Sequence, residues 1–392
     1  MQYVRWIARE ALVRGHSVTL VTLADCLEHP SYLTLQQECE GQIRTKTLIS
    51  RRNLSSEKWL QKSTTVGLAG REFLYRNLFA TYFRDLSKDE YPDVFFIPSL
   101  DYCAYAVGLL GSPFGEVPWG GIVLRPAFHF DSVGVKGPNS QLHLFKEKLF
   151  FRTLRNKRLR RLFTIDESLV RFAGVKNQKL VDKLRFVPEP VQFRGTHTRT
   201  EARRNLGISA DVMVLLVYGD LTTRKGVDAL LNATRKPGFP AELEILLAGK
   251  QDELIKLLLR SSQARALREA GRLHELDGFI TDEETHMVFR AADMVWLGYR
   301  GHYTASGVLI QAGMMRLPIV ACDVGLIGWK ARKHKLGLII SIDDVGAVAG
   351  AISKLTRDHD LRNELGENGK KQSVTHSVEN FARVACDGLN LD

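Results

Sequence analysis

Residues 212–226 read VMVLLVYGDLTTRKG. The first seven are apolar or aromatic without alternation, which is too short for a core helix and fits a strand buried on both faces. Such strands belong to parallel sheets covered by helices. Gly219 ends the strand, and a helix is expected to begin near Gly226. A strand, a glycine turn and a helix start form the corner of a doubly wound α/β unit. Ligands of such units sit outside the carboxyl ends of the strands.

The same alternation extends in both directions. Downstream, LEILLA at 243–248 is a second strand ending in a glycine, Gly249. Further strands are expected at 294–297, 318–321 and 338–341. Helices are expected at 252–259, 283–291, 345–355, 358–369 and 378–389. Upstream, Val4, Ile7, Ala8, Ala11 and Leu12 follow helical spacing, and Gly15 stands where a left-handed cap belongs. Strands are expected at 17–22, 93–98 (DVFFIP), 120–124, 161–165 and 184–187, with helical stretches at 71–86, 100–110 and 142–159. Pro188-Glu189-Pro190 suits neither a helix nor a central strand, so the hinge is placed at 188–198. The fold expected is α/β, with two Rossmann-like domains over 1–190 and 199–375 and a terminal helix over 376–392.

Composition narrows the class. The chain has 392 residues, 44% hydrophobic and 25% charged, which excludes disordered and collagen-like proteins. No apolar run reaches the roughly 18 residues of a membrane span. The opening residues, MQYVRW, do not read as a signal peptide. The five cysteines (Cys26, Cys39, Cys103, Cys322, Cys386) are scattered and never in C-x-x-C spacing. That argues against a disulfide framework and a zinc site, so a cytoplasmic location is expected. The net charge of +11 favours phosphate-bearing partners.

Lys225, with Arg224 beside it, stands at a strand end next to a helix start, where a diphosphate is held by cations and amide groups. The competing reading is a turn with a solvated Arg-Lys pair. Residues 299–318, YRGHYTASGVLIQAGMMRLP, carry a glycine- and serine-rich loop into an apolar helix. The amides at Ser306 and Gly307 can form a second anion nest, or Ser306 simply caps the helix. Neither a Walker loop nor a full G-x-G-x-x-G is present, which gives a hydride-transfer cofactor little support. Asp166-Glu167-Ser168 reads as a helix cap, and His16 as a turn residue. Over 149–161, Arg152, Arg155, Lys157, Arg158, Arg160 and Arg161 alternate with Leu149, Phe150, Phe151, Leu154 and Leu159. That pattern suits an anionic membrane face, or a solvated helix over the core. Aromatics interleaved with a basic stripe are absent, which disfavours nucleic acid.

The ordered set of motifs resembles a known family. It comprises strand–Gly–x–Leu–x–x–x–Lys–Gly, then Gly278-Phe279-Ile280, then AADMVWL, the glycine/serine loop and PIVACD. This is similar to the sugar-nucleotide domain of retaining, two-Rossmann (GT-B) glycosyltransferases of family 4, group 1. The resemblance covers most of 205–375 and more weakly the segment AREALVRGHSVTLVT. It implies two domains facing across a cleft, the first acceptor-side and the second binding the nucleotide sugar, with the terminal helix crossing back to the first. It implies transfer of a sugar from a nucleotide-diphosphate donor to an unknown acceptor, lipid-linked or polysaccharide, with no cofactor and no obligatory metal. A catalytically impaired binding or scaffold protein is the alternative. The donor-binding positions it implies are Gly219, Arg224, Lys225, Gly278, Phe279, Tyr303, Ser306, Gly307, Val308 and Gln311. Lys225 and His129, which follows the strand at 120–124, are the catalytic candidates. Arg125 is an alternative anion contact, and a structural loop histidine is the alternative for His129. The family's Glu-x7-Glu carboxylates are replaced by Tyr303 and Gln311, and its basic residue after the first glycine by Asp220. The family's first strand and Gly-Gly loop have no counterpart, so the N-terminus reads as incomplete, unless another segment fills the slot.

Overall fold

The computed structural model describes residues 2–39, 41–48, 65–138 and 140–391. The chain divides into two compact units. The first is Met1–Val133, Asn139–Pro190 and Val378–Asp392, and the second is Gly134–Pro138 and Val191–Ser377.

In the first unit, β1 (Thr19–Leu23) and β2 (Arg44–Leu48) pair in parallel as a two-stranded sheet. A separate parallel sheet runs in the order β3 (Phe95–Ile97), β4 (Trp119–Val123), β5 (Leu159–Thr164), β6 (Leu184–Phe186). β4 is buried along its whole length, as an interior parallel strand should be. Among the described residues no strand joins the two sheets, so none fills the slot expected of the family's first strand.

The C-terminal helix Val378–Gly388 belongs to this unit and packs on the helix Gln2–Val13. Phe381 meets Tyr3 and Trp6 at ring separations of 5.2 and 6.1 Å, and Arg14 pairs with Asp387 at 2.8 Å. Leu149, Phe150, Phe151, Leu154 and Leu159 are all buried in the core of this unit. Their apolar surface is therefore spent inward, so these side chains do not themselves reach a membrane, while Arg152, Arg155, Lys157 and Arg158 stay exposed.

The second unit is one six-stranded parallel sheet. Its strands are β7 (Met213–Tyr218), β8 (Leu243–Ala248), β9 (Leu273–Leu276), β10 (Met294–Leu297), β11 (Ile319–Cys322) and β12 (Gly337–Ile340). The spatial order is β12-β11-β10-β7-β8-β9. Alternate residues of β7 enter opposite cores. Leu215 and Val217 pack with Val227, Leu230, Val348 and Ile352, whereas Val214 and Leu216 pack with Val288, Phe289, Leu309 and Ile327. That is the period-two signature of a strand sandwiched between helical layers. The entry to β7 is fixed by buried Arg203, which donates to the carbonyls of Ala291, Ser209, Ala210 and Val212 and to Asp293 at 2.8 Å. Residues 134–138 dock here too: the Gly325 amide donates to the Lys136 carbonyl at 2.7 Å, and Lys136 Nζ pairs with Asp323 at 2.6 Å.

The helix Gly307–Met314 is seated by close backbone contact with the helix His359–Ser373. A Cβ on Gly313 would lie 2.6 Å from the Gly369 carbonyl oxygen and 2.1 Å from Ser373 Oγ. The Ser373 hydroxyl can swing aside, but the Gly369 carbonyl cannot retreat without moving a helix. Gly313→Ala is therefore expected to cost about 1–3 kcal/mol, read as a lower denaturation midpoint with an unchanged slope.

Candidate functional site

The sheet order of the second unit locates its crevice. From β7 the chain runs to β8 and β9 on one side, then crosses to β10 on the other side of β7. The connections leaving β7 and β10 thus diverge, and the gap between their carboxyl ends is a topological switch point. Lys225 stands there. Its carbonyl accepts from Trp296 Nε1 at 2.7 Å, which ties the 223–225 turn to β10. Gly226, at φ 64°, turns the chain into the helix Val227–Ala233, and a Cβ there would strike the Gly298 carbonyl.

The Lys225 side chain is only 4% exposed. Nζ donates to the Tyr218 carbonyl and to the Tyr299 hydroxyl, each at 2.7 Å, and lies 4.3 Å from the Tyr299 ring centroid. Burial, reinforced by the Arg224 charge and partly offset by Asp220, pulls the ammonium down to about 7. Arg224 Nη1 donates to His302 Nδ1 at 3.1 Å, so Nε2 is the protonated nitrogen and donates to the Ala305 carbonyl at 3.2 Å. Burial pushes the His302 imidazole down, toward that neutral form.

Tyr299 is the hub. Its phenol is pushed up by burial and stays protonated, and it bonds Ser306 as well as Lys225. Ser306 precedes the helix Gly307–Met314 but makes no side-chain cap, because its hydroxyl is engaged with Tyr299. A lysine, an arginine and a helix N-terminus thus converge within one loop cluster, an arrangement that attracts a doubly charged phosphate group.

The remaining candidates divide. Gly219 follows β7 at φ 97°, and a Cβ there would come 3.3 Å from Lys225 Nζ. The Gln311 side chain bonds the Tyr218 hydroxyl, which also meets Thr285 Oγ1 at 2.7 Å. Val308 packs into the core on one face of the sheet. Tyr303 offers its carbonyl to the Leu326 amide at 3.0 Å and brings no carboxylate to the cluster. Gly278 and Phe279 follow β9, the edge strand, and Phe279 is 89% exposed, so packing does not bind it to the Lys225 group. The sequence reading did not single out Tyr299, Tyr218 or His302. Two of these lay in the loop segment already quoted, but nothing in their spacing marked the phenol as Lys225's partner.

In the first unit, His129 is wholly buried. Its Nε2 lies 2.9 Å from Ser168 Oγ and 3.0 Å from Asp166 Oδ2. Asp166 caps the helix Glu167–Lys176 by accepting from the amides of Ser168 and Leu169, as expected of that cap. Phe128, Phe130 and Phe172 surround the imidazole. His129 therefore ties the loop after β4 to the loop after β5, and in this conformation it presents no atom to solvent. Arg125 is exposed, with its backbone amide held by Asp101 at 2.7 Å.

Residues 198–372 match the family model "Glycosyl transferases group 1". Over that stretch the second unit is similar to a group 1 glycosyltransferase domain. The D-inositol 3-phosphate glycosyltransferase of Actinosynnema mirum is 30% identical over 187 residues, 43% of this chain and 42% of that protein. The alpha-D-kanosaminyltransferase of Streptomyces kanamyceticus is 27% identical over 188 residues, 45% of each. The chain spans less than half the length of the curated relatives it first matches. The two-Rossmann GT-B fold is shared over nearly the whole chain with solved structures. Anabaena HepE in complex with UDP gives a TM-score of 0.66 at 15% identity, covering 98% of this chain and 96% of that one. WaaG, a glycosyltransferase involved in lipopolysaccharide biosynthesis, gives 0.60 at 15% identity, covering 98% and 94%.

Two outcomes follow from the geometry. Asp166→Ala removes the cap and strands His129 and Ser168, and should lower unfolding free energy by about 2–4 kcal/mol in urea titration. Lys225 binds fewer protons folded than unfolded between about 7 and its ordinary value. Its contribution therefore becomes more favourable as pH rises through that window. The stability difference between wild type and Lys225→Met should move toward wild type between those limits; a pH-independent difference would contradict the buried ammonium.

Proposed function

We propose that the chain transfers a glycosyl group from a nucleoside-diphosphate sugar to a lipid-linked or polysaccharide acceptor. The observation that carries this reading is the Lys225 ammonium, held by Tyr218 and Tyr299 at the switch point of the group 1 domain. As the bond between the anomeric carbon and the diphosphate oxygen lengthens, negative charge gathers on that oxygen. Lys225, Arg224 and the N-terminus of the helix Gly307–Met314 are placed to stabilise it, with no desolvation to be done at that moment. The approach of a diphosphate also favours the protonated form of Lys225, whose charge is held down by burial in the free protein. With cations in that role, no divalent metal and no cofactor are required.

Gln311, already bonded to Tyr218, is assigned the ribose hydroxyls, and Gly278 and Phe279 the nucleobase edge. Retention of anomeric configuration belongs to the same proposal. So does a cytoplasmic location with peripheral contact at the inner membrane face. Among the described residues, no helix is long and apolar enough to cross a membrane. HepE is solved with UDP and with UDP-glucose, which supports a nucleotide sugar as donor. A binding or scaffold role without turnover, suggested by Tyr303 and Gln311, is not favoured, because the cationic cluster is complete without either.

The test is a panel of nucleotide sugars, with diphosphate-nucleotide release and glycosyl transfer measured with and without a chelator. Turnover insensitive to the chelator is expected, and Lys225→Ala should lose roughly a hundredfold or more in kcat while retaining its fold by circular dichroism. Full turnover in folded Lys225→Ala, or calorimetric binding of none of the panel, would defeat the reading.

A further inference from the structure

The helix His143–Leu154 has two faces of different fate. Leu149, Phe150, Phe151, Thr153 and Leu154 point inward and are buried. Leu144, Phe145, Lys148, Arg152 and Arg155 are exposed. At 3.6 residues per turn these five fall within an arc of about 100°. Leu144 is 72% exposed and Phe145 54%. Among the described residues, Lys148, Arg152 and Arg155 form no ion pair, although other surface cations of this unit do, as Arg158 does with Glu116 and Lys176 with Glu147.

The apolar end of this stripe is not alone. The helix Ala104–Leu110 runs antiparallel against it, with Thr153 Oγ1 bonded to the Ala104 carbonyl. A Cβ on Gly108 would fall 2.4 Å from the Leu149 carbonyl oxygen, so the two backbones touch. This pairing brings exposed Leu109 and Leu110 to the same end as Leu144 and Phe145, with exposed Leu142 just before the helix. Exposed apolar side chains gathered at one end of a helix pair, next to unpaired cations, mark an interaction surface.

We infer that this face docks on an anionic lipid bilayer, with Leu144 and Phe145 entering the acyl boundary and Lys148, Arg152 and Arg155 meeting the headgroup phosphates. Charge complementarity selects the occupant. Three unpaired cations in a row repel a second copy of the same face, whereas an anionic leaflet neutralises them while its interior takes up the leucines and the phenylalanine. A nucleic acid would use the cations and leave Leu144 and Phe145 in water. The surface accounts for how a lipid-linked acceptor would be met, and only that purpose rests on the proposed transfer; adhesion itself does not depend on turnover.

The experiment is co-sedimentation of the full chain with phosphatidylcholine vesicles, with and without phosphatidylglycerol. Binding is expected only with phosphatidylglycerol and should fall as salt is raised. Leu144→Glu/Phe145→Glu should abolish it, and Lys148→Ala/Arg152→Ala should weaken it roughly tenfold or more. Lys225→Ala should bind vesicles like wild type, which separates this result from the donor test. Hydrogen exchange on the unaltered chain gives a second readout: amides of 142–148 should gain protection when vesicles are added. Equal binding to both vesicle types, binding retained in Leu144→Glu/Phe145→Glu, or no change in exchange at 142–148 would overturn the inference. So would a dimer that dissociates on that double substitution, or retention on single-stranded nucleic acid in place of vesicles.

Discussion

A lysine is held almost out of water at the place where two strand connections part, and much of the second unit serves that placement. Burying an ammonium is unfavourable unless its protons find acceptors. Lys225 has two, the Tyr218 carbonyl at the end of β7 and the Tyr299 hydroxyl just beyond β10. Both acceptors depend on register. β10 must lie beside β7, which it does with Met294 opposite Leu215, and the turn must be pinned by Trp296. Gly249, at the end of β8, lies so close to Gly219 that a Cβ would come within 2.0 Å of its carbonyl oxygen. The close packing of these strand ends leaves the ammonium little freedom.

Much of this was legible in the sequence. The VMVLLVY run and the glycines at 219 and 249 point to the α/β class from the sequence alone. β7, β8, β10 and β11 fall within a residue or so of their expected positions. What escaped notice has a physical explanation. β9 is LHEL, an edge strand with a polar middle and no continuous apolar run. β2 is RTKTL, which reads as a surface segment because its sheet has just two strands. The helix expected over 142–159 stops at Leu154, and Leu159 opens β5. Apolar spacing alone did not separate the end of a helix from the start of a buried strand.

The site was less legible than the fold for the same reason. Sequence position marks Lys225, Arg224 and Ser306 as candidates, because strand ends and helix starts are local features. It did not find Tyr299 as their common partner, since that contact joins residues 74 apart in the chain. His129 shows the reverse. Its place after a strand suggested a ligand contact, yet a carboxylate from the next βα corner draws the imidazole inward. The basic stretch at 149–161 likewise contains two populations of side chain, apolar ones packed inside and cationic ones outside, which a linear reading cannot separate.

The short segment 134–138 changes what can be cut from this protein. Its neighbours on both sides belong to the first unit, but Lys136 serves Asp323 and the Gly325 amide of the second. A fragment beginning after the proline connector would keep every strand of the six-stranded sheet and still lack the cation and carbonyl that close off one helix start. The second unit is therefore discontinuous, and dissecting the protein for separate study calls for grafting that loop rather than trimming at a single boundary.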